Sequence, residues 1–240
     1  MKKTIFLMAL LLALGTVLAA APSGGEKPRI GVLRFTNHTS AGWWSASVGN
    51  ELSDMLVSEL ASTKAFQVLD RKDLDAVLSE QDLGNSGRVS AATKAKMGNI
   101  KGAKYIVAAS VSSYEESTKG GGGGISVGGI SLGGKKEKTY IACDLKVVDT
   151  ETGEVVDTRT IEAESSGVGL GGSVSIGGVS LHGGGFEKTP AGKAIRGCVI
   201  YLADYLECSL TKGENDRCMK KWDKMDEDRK ARTRGAIDIK

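Results

Sequence analysis

Few residues of this chain have the type and spacing that enzyme chemistry requires. The chain contains two histidines, His38 and His182, and both lie in stretches that we predict to be loops. Covalent catalysis pairs a histidine base with a serine or cysteine nucleophile, and no nucleophile signature accompanies either histidine. No pattern of carboxylates marks an acid–base pair either. The sequence therefore predicts a protein that is not an enzyme and has no catalytic residues.

Glycine-rich stretches raise the separate question of a phosphate-binding loop. The GxxxxGK spacing occurs at residues 129–135, but Lys136 stands where Ser or Thr has to hold magnesium. The GxGxxG spacing occurs at residues 167–172. No helix is predicted to follow either stretch, although such sites present a helix N-terminus to the phosphate. We therefore expect no nucleotide and no other cofactor.

The four cysteines match none of the CxxC spacings of metal sites, so no metal site is expected. Cys208 and Cys218 bracket a polar loop and could form a disulfide if the protein is exported to an oxidising compartment. Cys143 falls on a predicted strand and Cys198 on a predicted helix. For these two, small buried thiols are the expected role.

One octapeptide occurs twice, as ISVGGISL at residues 125–132 and as VSIGGVSL at residues 174–181. A two-residue turn at Gly-Gly, where both residues need φ > 0, folds each copy into a β-hairpin. Opposed residues then share a face, so one face is apolar and the other carries serines. The turns are Gly128–Gly129 and Gly177–Gly178, the apolar faces are Ile125, Val127, Ile130, Leu132, Val174, Ile176, Val179 and Leu181, and the polar faces are Ser126, Ser131, Ser175 and Ser180.

An isolated hairpin of this kind is not stable in water, so its apolar face must meet a sheet, a partner or lipid. Outer-membrane barrels use strands with an apolar side toward lipid and a polar side toward the lumen. Every backbone group in lipid has to be paired, so hairpins enter a membrane only as parts of a closed ring. Two hairpins supply too few strands for a barrel, which would have to be shared among subunits.

The two hairpins interrupt a domain in which the apolar pattern predicts both strands and helices. Strands are predicted at 29–35, 66–71, 104–114, 139–149 and 155–165, and helices at 43–61, from Leu74 to before Gly84, at 90–100, and from Pro190 onward. The turn TETG makes the last two strands antiparallel neighbours. This order predicts an α/β fold, an α+β mixed sheet with helices packed on it. The two inserted β-hairpins would contribute four strands to a shared oligomeric outer-membrane β-barrel.

The first residues predict export. Lysines, an apolar run and small residues form a secretory signal peptide with cleavage expected after Ala19, and an N-terminal membrane anchor is the alternative. Of the 32 basic side chains, Lys2 and Lys3 lie in this leader, which leaves 30 against 29 acidic ones. This balance does not favour nucleic-acid binding, which requires a clustered positive face.

Several stretches, taken in order, resemble the curli production assembly/transport component family of outer-membrane channels that export amyloid fibre subunits. They are RIGVLRF, WWSASVGNELSDMLVSEL, FQVLDRKDLDAVLSEQ, YIVAASVSSYEES and CDLKVVDTETGEVV, within residues 28–210. Both glycine-rich insertions fall where that family carries its membrane hairpins. The resemblance implies a homo-oligomeric ring of about nine copies, since four strands per copy would make a barrel of roughly 36 strands.

The resemblance also implies partners, a location and a pore constriction. The partners would be exported unfolded protein subunits, a periplasmic accessory factor and outer-membrane lipid, and the protein would sit in the outer membrane facing the periplasm. The constriction would lie in the loop 36–44, where Trp43 aligns approximately with the family's constriction aromatic and is accompanied by Asn37, His38 and Trp44. Packing of both tryptophans between a helix start and the sheet is the alternative.

The expected organisation has six parts: a signal peptide (1–19), a linker (20–27), a periplasmic α/β domain (28–116, 139–164 and 188–211), a first hairpin (117–138), a second hairpin (165–187) and a charged C-terminal helical tail (212–240). A spanning strand needs ~9–11 residues. Lys135 and Lys136 follow the first turn so closely that they must lie near an interface or face the lumen. The chain also has no cysteine near the cleavage site that could be lipidated. The alternative is a soluble periplasmic module of the same fold that docks on a partner through its hairpins and forms no pore.

Overall fold

The computed structural model of the chain describes residues 26–120, 125–127, 130–132, 134–170 and 189–237. Its strands are β1 (Arg29–Val32), β2 (Thr36–Asn37), β3 (Gln67–Leu69), β4 (Tyr105–Gly120), β5 (Ile125–Val127), β6 (Ile130–Leu132), β7 (Gly134–Asp149) and β8 (Val155–Leu170), and its helices are α1 (Ala46–Thr63), α2 (Leu74–Asn85), α3 (Pro190–Thr211) and α4 (Arg217–Gly235). The predicted signal peptide, the glycines of the first turn and the whole second octapeptide lie outside the described residues.

One mixed sheet organises the domain, in the order β3-β1-β4-β7-β8, with β2 paired to β4. The strands β1 and β3, and likewise β1 and β4, run parallel, whereas β4, β7 and β8 are antiparallel neighbours. The parallel part is built from strands joined through helices, and the antiparallel part from strands that follow one another through hairpins. A mixed α+β fold is therefore confirmed, as is the antiparallel pairing on either side of TETG.

Helices α1 and α3 bury the stripes that their apolar spacing predicts. In α1, Val48, Leu52, Leu56 and Leu60 are at most 1% exposed. In α3, Ile195, Val199, Leu202 and Leu206 are at most 2% exposed. Together with the inward side chains of the sheet they form one hydrophobic core.

Local chemistry sets where α3 begins and how closely α1 approaches the sheet. Pro190 occupies the first turn of α3, and the Thr189 hydroxyl accepts a hydrogen bond from the Gly192 N–H at 3.0 Å. In α1, a Cβ on Gly49 would lie 2.5 Å from the Phe35 carbonyl oxygen. Only glycine allows this approach of the helix to the segment between β1 and β2.

Two sequence expectations differ from the structure. The helix expected at 90–100 is wrong, because these residues form turns and irregular backbone. Its apolar residues Met97 and Ile100 are 57% and 39% exposed, so a helix there would bury little apolar surface. The third, fourth and fifth strands are also longer than predicted, since β4 continues to Gly120, β7 starts at Gly134 and β8 reaches Leu170.

The pairing register of the first octapeptide is confirmed. The strands β5 and β6 pair antiparallel as Ile125↔Leu132, Ser126↔Ser131 and Val127↔Ile130. This is the register that a two-residue Gly-Gly turn requires. Among the helices of the described ranges, none has the length and apolar character to cross a membrane.

Candidate functional site

The most unusual feature of the fold is the length of three adjacent strands. Each of β4, β7 and β8 has 16 residues, about three times the usual strand of ~5–6 residues. The β4–β7 ladder extends to Gly120↔Lys135, and the β7–β8 ladder extends to Gly134↔Leu170. We call the parts beyond the core, residues 113–120, 134–140 and 164–170, the strand arms. They lead directly into the two glycine-rich insertions.

The strand arms leave the domain at a defined point. Val111, Ile141 and Ala163 are the last core residues of the three strands and are buried. The β4–β7 register shifts between Val111 and Ser113, and such a bulge bends and twists the strand that carries it. Just past this shift β4 carries Ser113, Glu115 and Glu116, while Tyr114 still packs against the core. The strand arms therefore continue the backbone pairing of the sheet beyond Val111, Ile141 and Ala163.

Polar contacts connect neighbouring strands at the base of the strand arms. The Tyr140 hydroxyl donates to Glu162 at 2.9 Å, and Lys138 lies 2.7 Å from Glu164. Burial, and then the hydrogen bond to Glu162, raise the pKa of the Tyr140 phenol above its ordinary value. The Lys138–Glu164 pair is half exposed and contributes at most about 1 kcal/mol. This surface is hydrophilic and suits water or headgroups rather than hydrocarbon.

An aromatic cluster lies at the same level, beside β4. The Trp43 ring packs edge-on against Trp44 at 5.7 Å between ring centroids and against Tyr114 at 5.1 Å. Its indole Nε1 is buried and has no hydrogen-bond partner among the described residues. Burial, and then the nearby Glu116 carboxylate, raise the pKa of Tyr114, which keeps its phenol neutral. Sequence reasoning missed Tyr114, although it stands at the predicted end of the third strand.

The other two loop residues singled out by the sequence lie in or next to β2, the short strand that pairs with β4. The Asn37 side chain accepts from the Thr39 N–H at 3.0 Å, which closes a tight local turn. His38 is exposed, and its backbone N–H donates to the Val111 carbonyl at 2.9 Å. The loop 36–44 is therefore attached to β4 by a hydrogen bond at Val111 and by ring packing at Tyr114. It is held where the strand arms begin.

The opposite edge of the sheet is covered by α4. Trp222 is 7% exposed and packs edge-on against Tyr205 and Tyr201 of α3, with centroids 5.5 and 6.2 Å apart. A disulfide joins Cys208 of α3 to Cys218 of α4, with their Cα atoms 6.0 Å apart. Ring packing and the disulfide hold this helix on the domain, and such a covered edge is protected from adding further strands.

Charged residues complete the contact between α4 and β8. Arg159 lies 2.8 Å from Asp223 and 3.7 Å from Asp226, and Arg232 lies 2.9 Å from Glu162. Burial alone would raise the pKa of Asp226, but hydrogen bonds from Lys230 and Arg229 outweigh it and lower that pKa. The sequence signal for these pairs was weak, because their members are more than 60 residues apart along the chain.

A buried polar network lies beneath this contact. The Tyr205 hydroxyl donates to Asp157 at 2.7 Å, and the Ser209 hydroxyl donates to the same carboxylate. Burial, followed by the hydrogen bond to Asp157, raises the pKa of Tyr205 to about 12. Within the described ranges, no three His, Cys, Asp or Glu side chains come together as a metal site. The chemistry of these groups is that of structural hydrogen bonding.

Comparison with known proteins gives one match over nearly the whole chain. The family described as Curli production assembly/transport component CsgG matches residues 15–237. Curated proteins of the same description from Escherichia coli K12 and from Salmonella typhimurium are each 28% identical over 119 residues. These matches cover 48% of this chain and 43% of the relatives, so the chain spans less than half the length of the curated relatives it matches.

Two solved structures resemble the fold at low identity. A hypothetical protein from Chlamydia trachomatis has a TM-score of 0.47 and 14% identity, covering 77% of this chain and 98% of that protein. A PelC dodecamer from Paraburkholderia phytofirmans has a TM-score of 0.35 and 10% identity, covering 76% of this chain and 91% of that protein. Scores this low give neither likeness a bearing on function.

Proposed function

The chain belongs to the Curli production assembly/transport component CsgG family, and on this premise we propose that it is one subunit of a homo-oligomeric outer-membrane ring that exports unfolded protein subunits from the periplasm. The proposed channel is not an enzyme. It would work by holding open a pore of defined width, which requires positioned backbone and side chains but no nucleophile, metal or cofactor.

The continuous pairing of the strand arms is the observation that carries this proposal. The β4–β7 and β7–β8 ladders remain paired well past the last core residues, up to Gly120↔Lys135 and Gly134↔Leu170. Strands that enter a membrane must satisfy every backbone group by such pairing. A strand of 16 residues is ~53 Å long at ~3.3 Å per residue. Its strand arm of 7 or 8 residues would supply most of the ~9–11 residues that cross a membrane, and the insertions would supply the rest.

In this proposal the two hairpins of each subunit enter a shared barrel. The lipid-facing residues are Ile125, Val127, Ile130, Leu132, Val174, Ile176, Val179 and Leu181, and the lumen-facing residues are Ser126, Ser131, Ser175 and Ser180. The polar base of the strand arms, with Lys138 and Glu164, would lie at the periplasmic interface, where charged groups cost ~0–1 kcal/mol.

The loop 36–44 is the proposed constriction. A ring of copies would bring its loops around one axis, and Trp43, Trp44, Asn37 and His38 would narrow the passage. The ring packing of Trp43 on Tyr114 equally suits the alternative that this tryptophan only packs the loop on the sheet. Exposed His38 and the polar Asn37 turn are the residues of the loop best placed to meet an extended chain.

Membrane extraction tests the proposal directly. The full-length precursor is expressed in a Gram-negative host, and outer membranes are treated with carbonate and, separately, with detergent. We expect the protein to stay in the membrane after carbonate treatment. In detergent, we expect light scattering to give a mass several times that of the monomer, as a ring requires. Release by carbonate as a small soluble species would overturn the channel. The protein would then be a periplasmic partner-binding module of the same fold.

A matched pair of variants assigns the faces of the first hairpin. Ile125→Lys with Leu132→Lys places two charges on the proposed lipid side, away from the turn and toward the midplane, where a lysine costs up to ~2–4 kcal/mol. Ser126→Lys with Ser131→Lys places the same charges on the proposed lumen side of the same turn. We expect the first variant to lose carbonate resistance and the second to keep it. Equal retention of both would argue against a lipid-facing hairpin.

A further inference from the structure

Helix α2 stands apart from the rest of the domain. It has 12 residues, and it packs closely on none of the other helices or strands that the structure describes. Three of its apolar side chains, Val77, Leu78 and Leu83, are 47%, 42% and 42% exposed. Isolated helices of this length are marginal in water. Exposed leucine and valine on a short unsupported helix indicate a surface that a partner covers.

The charge of α2 narrows the choice of partner. Between Leu74 and Asn85 the helix carries Asp75, Glu80 and Asp82 and no basic residue. Within the described part of the chain none of these three carboxylates forms an ion pair. The partner surface should therefore be basic and should also offer apolar contact.

A surface of this kind exists on the opposite flank of the same chain. The first half of α4 carries the exposed residues Arg217, Lys220, Lys221 and Lys224. Their spacing places them along one side of the helix, and no ion pair of the described residues involves any of them. Met225 of the same helix and Tyr201 of α3, whose ring packs on Trp222, are 42% and 43% exposed. This surface therefore offers both features expected of the partner of α2, namely basic side chains without carboxylate partners and exposed apolar side chains.

The sheet places these two surfaces at opposite ends. Strand β3, which α2 follows after a short connection, is one edge of the sheet, and β8, which α4 covers, is the other. The Lys72–Asp54 ion pair at 2.7 Å ties the start of α2 to α1, and the disulfide and Trp222 fix α4. Two different surfaces at opposite ends of one subunit make a heterologous contact, which closes into a ring when the rotation permits.

We propose that α2 of one copy docks on the basic stripe of α4 in the next copy. The inference rests on the proposed ring and specifies which surfaces hold it together. The acidic residues Asp75, Glu80 and Asp82 would face Arg217, Lys220, Lys221 and Lys224, and Val77, Leu78 and Leu83 would cover Met225 and Tyr201. The second copy of this chain is the occupant that the charges and the placement at both edges favour.

Charge exchange tests the contact. The variant D75K/E80K/D82K reverses the charge of the α2 surface, and K220E/K221E/K224E reverses the charge of the basic stripe on α4. We expect either triple variant to weaken subunit association at least tenfold in detergent, and the two sets combined in one chain to restore it. K27E/K146E/K193E, three exposed lysines outside both surfaces, is the matched control and should assemble like the unaltered protein. Circular dichroism checks that each variant is folded.

Cross-linking of the unaltered protein separates the failure of the contact from the failure of the ring. A carbodiimide joins carboxylates to lysines at zero length, and mixing ¹⁵N-labelled with unlabelled copies identifies links between subunits by mass spectrometry. Links from Asp75, Glu80 or Asp82 to Lys220, Lys221 or Lys224 support the contact, even in an assembly that does not resist carbonate. A carbonate-resistant ring without such links overturns the contact alone. A monomer without links overturns both proposals.

Discussion

Helices α3 and α2 differ in how much of each helix is packed against the rest of the domain. The 22 residues of α3 bury eleven side chains or glycines against the sheet and α1, while the 12 residues of α2 bury two, Gln81 and Gly84. Helix α3 gets its stability from tertiary packing, as most protein helices do. Helix α2 leaves Val77, Leu78 and Leu83 42–47% exposed, so tertiary packing within one copy supports it less.

This difference separates what the subunit needs in order to fold from what it needs in order to assemble. The core of α1, α3 and the sheet is complete within one copy. Helix α2 adds no side chain to that core, while the loop 36–44 and the β4 strand arm touch its border through Trp43, Trp44 and Tyr114. Substitutions in the core should therefore change the stability of the folded domain, and substitutions in α2 should change subunit association. The experiments below are ordered by their expected effect on the stability of the folded domain.

The largest effect is expected from the core. Leu202 in α3 is fully buried, and Leu202→Ala removes its packing and leaves a cavity. We expect a loss of about 2–5 kcal/mol in the free energy of unfolding, measured by urea denaturation of detergent-solubilised protein. A loss under about 1 kcal/mol would mean that α3 is not the main support of the domain.

The disulfide should come next. It closes a loop of sequence separation 10 between α3 and α4, and removing it increases the entropy of the unfolded chain. We expect Cys208→Ser with Cys218→Ser to cost about 2–3 kcal/mol. Unaltered protein in reductant should show the same loss. If reductant lowers the free energy of unfolding and the double variant does not, the loss in reductant does not come from the disulfide between Cys208 and Cys218.

A smaller effect is expected from pH, through the network below α4. The pKa of Tyr205 is raised from 10.0 to about 12 in the folded protein, mainly by burial and then by the Asp157 hydrogen bond. Because the unfolded tyrosine loses its proton first, the stability that this group contributes is complete below pH 10 and is lost as pH rises towards 12.

The variant Tyr205→Phe should flatten the decline in stability across this alkaline window. It should not abolish the decline, because the pKa values of Tyr114 and Tyr140 are also raised. Denaturation at several pH values between neutrality and the alkaline limit measures the slope. An unchanged slope would mean that Tyr205 ionises as readily in the folded as in the unfolded protein.

The smallest effect on the folded domain is expected in α2. Leu78→Ala is the same chemical change as Leu202→Ala, but Leu78 is 42% exposed. We expect a change within about 0.5 kcal/mol in the free energy of unfolding, together with weaker subunit association. Hydrogen exchange should show the α2 amides unprotected in dispersed subunits and protected after assembly. Protection already present in the dispersed subunit would contradict the comparison of the two helices.

The sequence alone determined the features that depend on neighbouring residues. The spacing of apolar side chains defined the buried stripes of α1 and α3, Pro190 marked the start of α3, and the Gly-Gly turn predicted the register of β5 and β6. Helical periodicity and two-residue turns are short-range effects, because their hydrogen bonds join residues a few positions apart.

Tertiary structure alone decided the features that depend on distant residues. The strand arms extend through polar residues such as Glu115 and Lys138, because a strand continues wherever a paired neighbour supplies backbone hydrogen bonds, whatever its side chains. The packing of Trp43 on Tyr114, the Arg159–Asp223 pair and the isolation of α2 likewise depend on which elements meet in space. Residues 90–100 have enough local helical character to suggest a helix, but they form turns and irregular backbone, with Lys94 and Ala95 beside Gly84 of α2.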